Sequence, residues 1–320
     1  MITRTVAALF LILSASSHSA VGVETEEQRK YFIPNLDEAA ASLLETGGVL
    51  GPFDLKGHSV YEYSDIYLDT PDYRLYKKFL SMRLRRRVYE DGKVEYGFQI
   101  KGEMTEKGAI RMEVEEDQLE IYQRRGEKLI EHLNVLFDLT EKDTEPFKNS
   151  RVLQSITWIE DWIKFKASGS VAPLQEIRHQ FGEVLDSLTP MILVHSRRAR
   201  SHIVVDRNRA NEFKNLPDSL KSNPPPTLPS GSQIVWVMES SLDRSDALAL
   251  SRPASGAPER TQFSEFEVEN KYAPAARGTE LMVSFEKSLS DHLGAQTTLS
   301  SKYRQSARVL FNLEDALLTP

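Results

Sequence analysis

Three glutamates and a lysine fall at alternate positions in FSEFEVENKY, residues 263–272: Glu265, Glu267, Glu269 and Lys271. Side chains two apart leave a β-strand on one face, so these four lie opposite Phe266, Val268 and Asn270. The spacing recurs with the other sign. LSMRLRRRVYE sets Arg83, Arg85 and Arg87 against Met82, Leu84 and Arg86. VEYGFQIKGE puts Gln99 with Lys101, and AIRMEVEE puts Arg111, Glu113 and Glu115 together. VETEEQRKYFI gathers Glu24, Glu26, Gln28 and Lys30 on one face. Arginine grips phosphate oxygens bidentately, and lysine acts on them as a point charge. Clustered carboxylates offer the oxygen ligands that Mg2+ and Mn2+ take, often shared with phosphates. Without a cation, three carboxylates on one face repel and their pKa values rise. A polyphosphate chelated to a divalent metal satisfies both halves of the pattern.

The elements that must position these residues are mostly strands. HSVYEYSDIYLDTPDYRLY reads as a strand running into a Thr-Pro-Asp turn. From about residue 117 to 188 the apolar period changes to three and four, as in amphipathic helices; LIEHLNVLF, VLQSITWIEDWIKF and LQEIRHQFGEVLDSL carry it. Trp158, Trp162 and Phe165 read as the core face of one such helix. Strands return in MILVHSRRARSHIVVD, SQIVWVMESSLD and FSEFEVENKY. Two segments read as flexible excursions: 206–232, with Pro224, Pro225 and Pro226, and 244–262, rich in Ser, Ala and Pro. Helical patterns close the chain at 277–293 and about 302–318, with Lys302 between them in TTLSSKYRQ. About eight alternating strands with segregated helices predict an α+β fold. Both signs of charge crowd one face. An eight-stranded antiparallel sheet closed into a β-tunnel, charged inside and covered outside by helices, is the economical arrangement.

The chain has 320 residues, a formal net charge of −7 and 27% charged residues, an ordinary globular composition. A mildly acidic total argues against a nucleic-acid binder acting through bulk charge. Cysteine is absent, which excludes disulfides, thiolate metal sites and cysteine nucleophiles. The seven histidines show no ligand spacing; His195 and His202 stand seven apart and read as incidental. MITRTVAALFLILSASSHSAVG has the layout of a secretory signal peptide: Arg4, an apolar run from Val6 to about Leu13, then small residues. The expectation is a leader over residues 1–22, an exported or periplasmic location, and one domain over 23–320. No later segment is long and apolar enough to cross a membrane.

The ordered set EEQRKYF, YSDIYLDTPDYRL, SMRLRRR, FQIKG, RMEVEE, a helical block, HSRRAR, SSLD, FEVEN and SSKY resembles the CYTH superfamily, the triphosphate tunnel metalloenzymes. Polyphosphate polymerase domains are related to that family. The resemblance spans residues 24–305 and implies an eight-stranded antiparallel tunnel. It implies that Lys30 closes the opening Glu-x-Glu-x-Lys, with Glu26 its first glutamate and Gln28 where the family has its second. It further implies phosphate contacts from Arg83, Arg85, Lys101, Arg111, Arg198, Arg200 and Lys302. The metal ligands it implies are Glu26, Glu113, Glu115, Glu265, Glu267 and Glu269, with Asp243 matching the Leu-Asp of the seventh strand.

The implied chemistry is metal-assisted hydrolysis of inorganic tripolyphosphate or an organic triphosphate, with Mg2+ or Mn2+. Arginine cannot lose its proton and therefore acts as a clamp. Lys30 and Glu267 are the expected catalytic groups, Lys30 positioning a phosphate or water. Taken singly, each charged run reads as a solvated strand face; joint occurrence in one alternating set distinguishes them. Gln28 supplies an uncharged oxygen where a charged one is expected. That keeps open a non-catalytic polyanion-binding module, and a polymerase-like transferase is a third reading.

Overall fold

The computed structural model describes residues 28–33, 36–51, 53–102, 113–117, 119, 122–124, 126–166, 171–206, 234–269, 275–298 and 300–314. The expected leader, Glu26, Arg111 and residues 207–232 of the expected excursion lie outside them.

In chain order the elements begin β1 (Gln28–Phe32), α1 (Glu38–Thr46), β2 (Gly47–Leu50), β3 (Phe53–Asp69), α2 (Arg74–Lys77), β4 (Leu80–Val88), β5 (Val94–Gly102) and β6 (Glu113–Asp117). A helical block follows a small β7 (Gln123–Arg124) and β8 (Glu127–Lys128) pair: α3 (Leu129–Phe137), α4 (Ser150–Lys166) and α5 (Ala172–Phe181). The chain then runs through β9 (Thr189–Asp206), β10 (Ile234–Ala249), β11 (Arg260–Glu269), α6 (Ala275–Leu293), β12 (Gln296–Thr298) and α7 (Lys302–Phe311).

Among the described residues, ten strands form one sheet in the order β12-β1-β11-β10-β9-β3-β4-β5-β6, with β2 beside β3, and every pairing is antiparallel. This corrects the expected eight-stranded closed tunnel. The two extra strands, GGVL and QTT, are too short to show alternation. Among the described residues nothing pairs β6 with β12, so the sheet is open. Closure needs end strands that meet along their length; β6 has five residues and β12 three. The stretch 244–262, expected as a flexible excursion, is ladder at both ends: β10 runs to Ala249 and β11 starts at Arg260, which leaves 250–259 as the connection. A strand with Ser and Ala on its faces has little contrast to read in sequence, yet Asp246 faces Gln262 and Leu248 faces Arg260.

The alternating apolar residues go to the outer face, where helices bury them. Ile66, Leu84, Phe98 and Leu193 pack against Leu133, Ile159, Trp162 and Leu174 of α3, α4 and α5. Tyr31, Leu55, Leu242 and Phe266 pack against Leu44 of α1 and Met282, Phe285 and Leu289 of α6. Trp162 is fully buried, but Phe165 is 56% exposed, so the expected core face of α4 stops short of it. Arg124 and Lys166 lie over that ring instead. Gly47 turns α1 into β2 at φ +104°, and a Cβ there would stand 2.5 Å from the Leu55 carbonyl oxygen. The inner face differs. Its one apolar end, Tyr67, Ile192, Val194 and Ala247, is covered by Tyr303, Ala307, Leu310 and Phe311 of α7. The rest of it, among the described residues, carries the charged side chains, with Tyr61, Tyr63 and several serines between them.

Candidate functional site

Register gathers the charged residues. Asp243 on β10 stands between Arg198 on β9 and Glu265 on β11. Lys30 on β1 faces Glu267, Asp65 on β3 faces Arg85, and Arg83 faces Gln99 on β5. All have the parity of the inner face, and all are buried except Arg198, which is nearly so.

Two ion-pair knots result. In the first, Arg85 donates to both Asp65 oxygens, from Nε at 2.6 Å and Nη2 at 2.7 Å. Arg83 Nη1 donates to Asp65 Oδ2 at 3.2 Å, while its Nε and Nη2 donate to Gln99 Oε1 at 2.8 and 2.6 Å. In the second, Arg198 donates to Asp243 Oδ1 from Nε at 2.7 Å and to Oδ2 from Nη2 at 2.6 Å. Lys302 Nζ lies 2.6 Å from Asp243 Oδ2 and 2.6 Å from Glu265 Oε1. Lys30 Nζ donates to the same Glu265 oxygen at 2.8 Å and lies 4.0 Å from Glu267 Oε2. Arg198 Nη2 is 3.5 Å from Glu267. The Tyr63 ring lies between the knots, with the Arg85 guanidinium 4.2 Å and the Arg198 guanidinium 5.5 Å from its centroid.

Lys302 reaches the site because α7 starts there. Ser301 caps the helix, accepting from the Arg304 amide. The helix is anchored by Tyr303, whose hydroxyl donates to Asp69 Oδ2 at 2.6 Å. Asp69 also accepts from the amides of Thr70, Leu75 and Tyr76 at 2.6, 2.8 and 2.9 Å. Asp69-Thr70-Pro71 is thus a structural turn that fixes α7 over the end of the inner face. Gln305, one turn on from Lys302, donates to Glu265 Oε2 at 3.3 Å.

The electrostatics follow from burial and pairing. Burial alone pushes the Asp65 carboxyl up, but Arg83 and Arg85 overcome it and hold it at about 2. Burial likewise opposes ionisation of Asp243, and Arg198 with Lys302 holds it well below the usual carboxylate range. Glu265 is lowered against burial by Lys30 and Lys302. In return, Asp243 and Glu265 raise Lys302 despite its burial. Every one of these groups is charged at neutral pH.

Of the sequence candidates, Lys30, Arg83, Arg85, Lys101, Arg198, Lys302, Glu265 and Glu267 gather on the inner face. Arg200 shares the face two residues beyond Arg198 but pairs with Glu239. Glu269 does not join the carboxylate cluster; it lies half-buried beyond it, opposite Gln28 and Glu239 in register. Glu113 and Glu115 sit on end strand β6, opposite Lys101 and Gln99. Among the described residues no strand pairing carries β6 round to β11, so the open sheet lacks the closure expected to unite the two carboxylate groups. Sequence reasoning missed Asp65 as a site residue. Its signal was its parity with Tyr63 and Tyr67, but which arginines it meets depends on register alone.

Asp243, Glu265 and Glu267 are buried, and one oxygen from each lies within 4.8 Å of the others. That all-oxygen, triply negative donor set fits a hard divalent cation such as Mg2+ or Mn2+. Counting buried and near-buried groups of the inner face, Lys30, Arg83, Arg85, Lys101, Arg198 and Lys302 exceed Asp65, Glu239, Asp243, Glu265 and Glu267 by one positive charge among the described residues. A face with that surplus and five of its six cations within reach of bidentate or bridging contacts attracts a polyanion.

A cavity of about 630 Å³ is lined mainly by residues of outer-face parity, among them Glu62, Ser64, His195, Arg197, Arg244 and Asp246, with Tyr63 and Ser245 of inner-face parity also reaching it. There His195 Nδ1 is 2.8 Å from Ser64 Oγ and Nε2 is 2.8 Å from the Leu139 carbonyl oxygen. The carbonyl can only accept, so Nε2 carries the proton and Nδ1 accepts from Ser64. His195 ties the sheet to the helical block.

No protein-family model matches the chain, and no curated protein matches it. Among solved structures, it is similar to a Hippeastrum protein described as an adenylyl cyclase candidate with a dominant triphosphatase activity. That match has 13% identity, covers 87% of this chain and 93% of the other, and has a TM-score of 0.41. A protein of Pyrococcus horikoshii OT3 matches at 13% identity, covering 88% and 97%, with a TM-score of 0.38. An adenylate cyclase candidate of Bacillus halodurans matches at 13% identity, covering 89% and 98%, with a TM-score of 0.38.

Proposed function

We propose that the chain is a triphosphatase of CYTH type, cleaving the terminal phosphoanhydride of a triphosphate held on the inner face. The observation that carries this reading is the pair of ion-pair knots. They hold four cations, Arg83, Arg85, Arg198 and Lys302, in fixed positions by carboxylates that a phosphate chain can replace. Arg83 and Arg85 grip one end of the chain, and Arg198, Lys302 and Lys101 offset charge along it and in the transition state. Lys30, between Glu265 and Glu267, orients a phosphate oxygen or the attacking water. Glu267 is placed between the Lys30 and Arg198 sides to orient that water and accept its proton. A divalent ion held by Asp243, Glu265 and Glu267 supplies Lewis-acid polarisation and charge neutralisation when bound. Release of Lys302 and Arg198 from those carboxylates frees both cations for phosphate. Residues 1–22 are proposed to direct export, which mass determination of the secreted N-terminus tests.

Phosphate release from tripolyphosphate with Mg2+, Mn2+ or EDTA tests the reading. Metal-dependent release is expected, lost by at least about a hundredfold in Arg85→Ala and in Glu267→Gln, as for removal of a transition-state donor. Tight binding without turnover would instead favour a polyanion-binding module. The observation on that side is that Gln28, paired with Glu269 in register, stands where the resemblance implies a glutamate.

A further inference from the structure

On the inner face, the end opposite α7 carries a ladder of rings and cations that the phosphate chemistry leaves unused. Tyr61, Tyr63 and Asp65 alternate on β3, and Arg85, Arg87 and Tyr89 alternate along and just past β4, with Asp65 facing Arg85 and Tyr63 facing Arg87. The Tyr61 ring is 6.1 Å from Tyr63 and 6.0 Å from Tyr89, the latter pair tilted by 34°. The Arg87 guanidinium lies 5.6 Å from the Tyr61 centroid and 5.8 Å from that of Tyr89, and Lys93 Nζ is 5.6 Å from Tyr89. Tyr89 is held in place by its hydroxyl, which accepts from Arg87 Nη1 at 3.0 Å and donates to Glu95 at 2.6 Å. The ladder is open to solvent: Arg87 and Lys93 side chains are 30% and 64% exposed.

We propose that Tyr61 and Tyr89 form a stacking platform for a head group, and that the substrate is a triphosphate bearing a neutral planar ring. This rests on the triphosphatase reading. The direction is fixed by α7, which fills the Tyr67 end with Tyr303 and Phe311, so the organic end of a phosphate chain in the clamp points toward Tyr61. Tyr61 is four strand positions from Asp65, about 13 Å, which leaves room for a sugar or similar linker between the Arg83–Arg85 grip and the ring, and it lies opposite Arg198 in register. Sequence-tolerant stacking on such tyrosines suits any flat ring. The charge selects further. Arg87 and Lys93 already lie over the Tyr61 and Tyr89 rings, so a cationic ring meets like charge at those faces and a neutral or electron-rich one does not.

The test uses the full chain and three probes: ATP, inorganic tripolyphosphate and thiamine triphosphate, whose ring is cationic. Turnover and calorimetric affinity are measured for wild type, Tyr61→Leu, Tyr61→Phe and Arg85→Ala. ATP is expected to have the highest kcat/KM. Tyr61→Leu is expected to raise KM for ATP about tenfold relative to KM for tripolyphosphate, and Tyr61→Phe to restore the ratio. A ratio unmoved by Tyr61→Leu in a protein that melts normally, or a preference for tripolyphosphate or thiamine triphosphate, overturns the platform. Tripolyphosphate affinity that survives Arg85→Ala overturns the phosphate clamp, and the platform with it. Affinity for all probes lost in Arg85→Ala, with the ratio unmoved in Tyr61→Leu, overturns the platform alone.

Discussion

Asp65 illustrates how one residue sets the state of the clamp. It is fully buried and accepts from both Arg83 and Arg85. Replacing it by asparagine leaves two buried guanidiniums short of an anion. A loss of stability of about 3 kcal/mol is expected, measured by denaturant unfolding. Tripolyphosphate supplies the missing charge, so its addition should raise the melting temperature of Asp65→Asn more than that of wild type. An equal rise in both proteins would mean that the ligand does not occupy the Arg83–Arg85 clamp. The same residue sets a pH dependence. Its folded pKa, about 2, lies below its ordinary 3.8. A depressed carboxylate contributes stability that is complete above its ordinary value and lost as pH falls through the folded one. Unfolding free energy should therefore drop by about 2 kcal/mol between pH 5 and pH 2 on account of Asp65. That portion should be absent from the same titration of Asp65→Asn. Asp243, lowered in the same sense, adds to the drop.

At the scale of elements, the decisive piece is α7 with the turn it leans on. Tyr73 and Phe79 adopt left-handed backbone at φ 59° and 57° on either side of α2, a conformation that costs aromatic residues on the order of 1 kcal/mol each. Asp69 holds that turn with three backbone bonds and holds α7 with a fourth from Tyr303. Arg304 joins the two by donating to the Tyr76 carbonyl at 2.7 Å and lying over the Tyr76 and Phe79 rings. Asp69→Ala strands these donors in a buried place and is expected to cost about 3 kcal/mol. It should also raise KM for the triphosphate, because Lys302 and Gln305 are carried on the helix it releases. A stable Asp69→Ala variant with unaltered KM would show that α7 does not position Lys302 for substrate. The outer elements have a different task. α3, α4 and α5 bury one half of the sheet and α1 with α6 the other, so the inner face is left to charge.

For the whole molecule, the inner face is a set of opposed charges held in balance, with a surplus of one positive charge among the described buried and near-buried groups. Such a face is stabilised when a polyanion takes over the pairing. At about a hundred times its dissociation constant, a ligand specific for the folded state adds about 2.7 kcal/mol. Tripolyphosphate is expected to give that increment, falling as salt rises because partly exposed Arg198 and Arg200 feel screening most. An increment indifferent to salt between about 0.05 and 0.5 M would point to binding away from the charged face. No helix among the described residues is long and apolar enough to cross a membrane.

The sequence by itself determined the parity of the site. Period-two alternation assigned Lys30, Arg83, Arg85, Lys101, Arg198, Glu265 and Glu267 to faces, because a strand leaves no other choice once its apolar side must be buried. Period-three and -four runs identified the helices that bury that side, and the ordered motifs carried the resemblance to a family. Only the tertiary structure decided which charges meet. Asp65 pairs with Arg85, and Asp243 with Arg198, through register between strands 20 and 45 residues apart at those pairs. Lys302 enters from a helix end through a cap and a buried carboxylate that no periodicity announces. Openness was equally invisible, since closure depends on the length and stagger of end strands, and β6 and β12 offer too few ladder positions to meet. Parity is a local property of the backbone; pairing is a property of where distant strands come to lie.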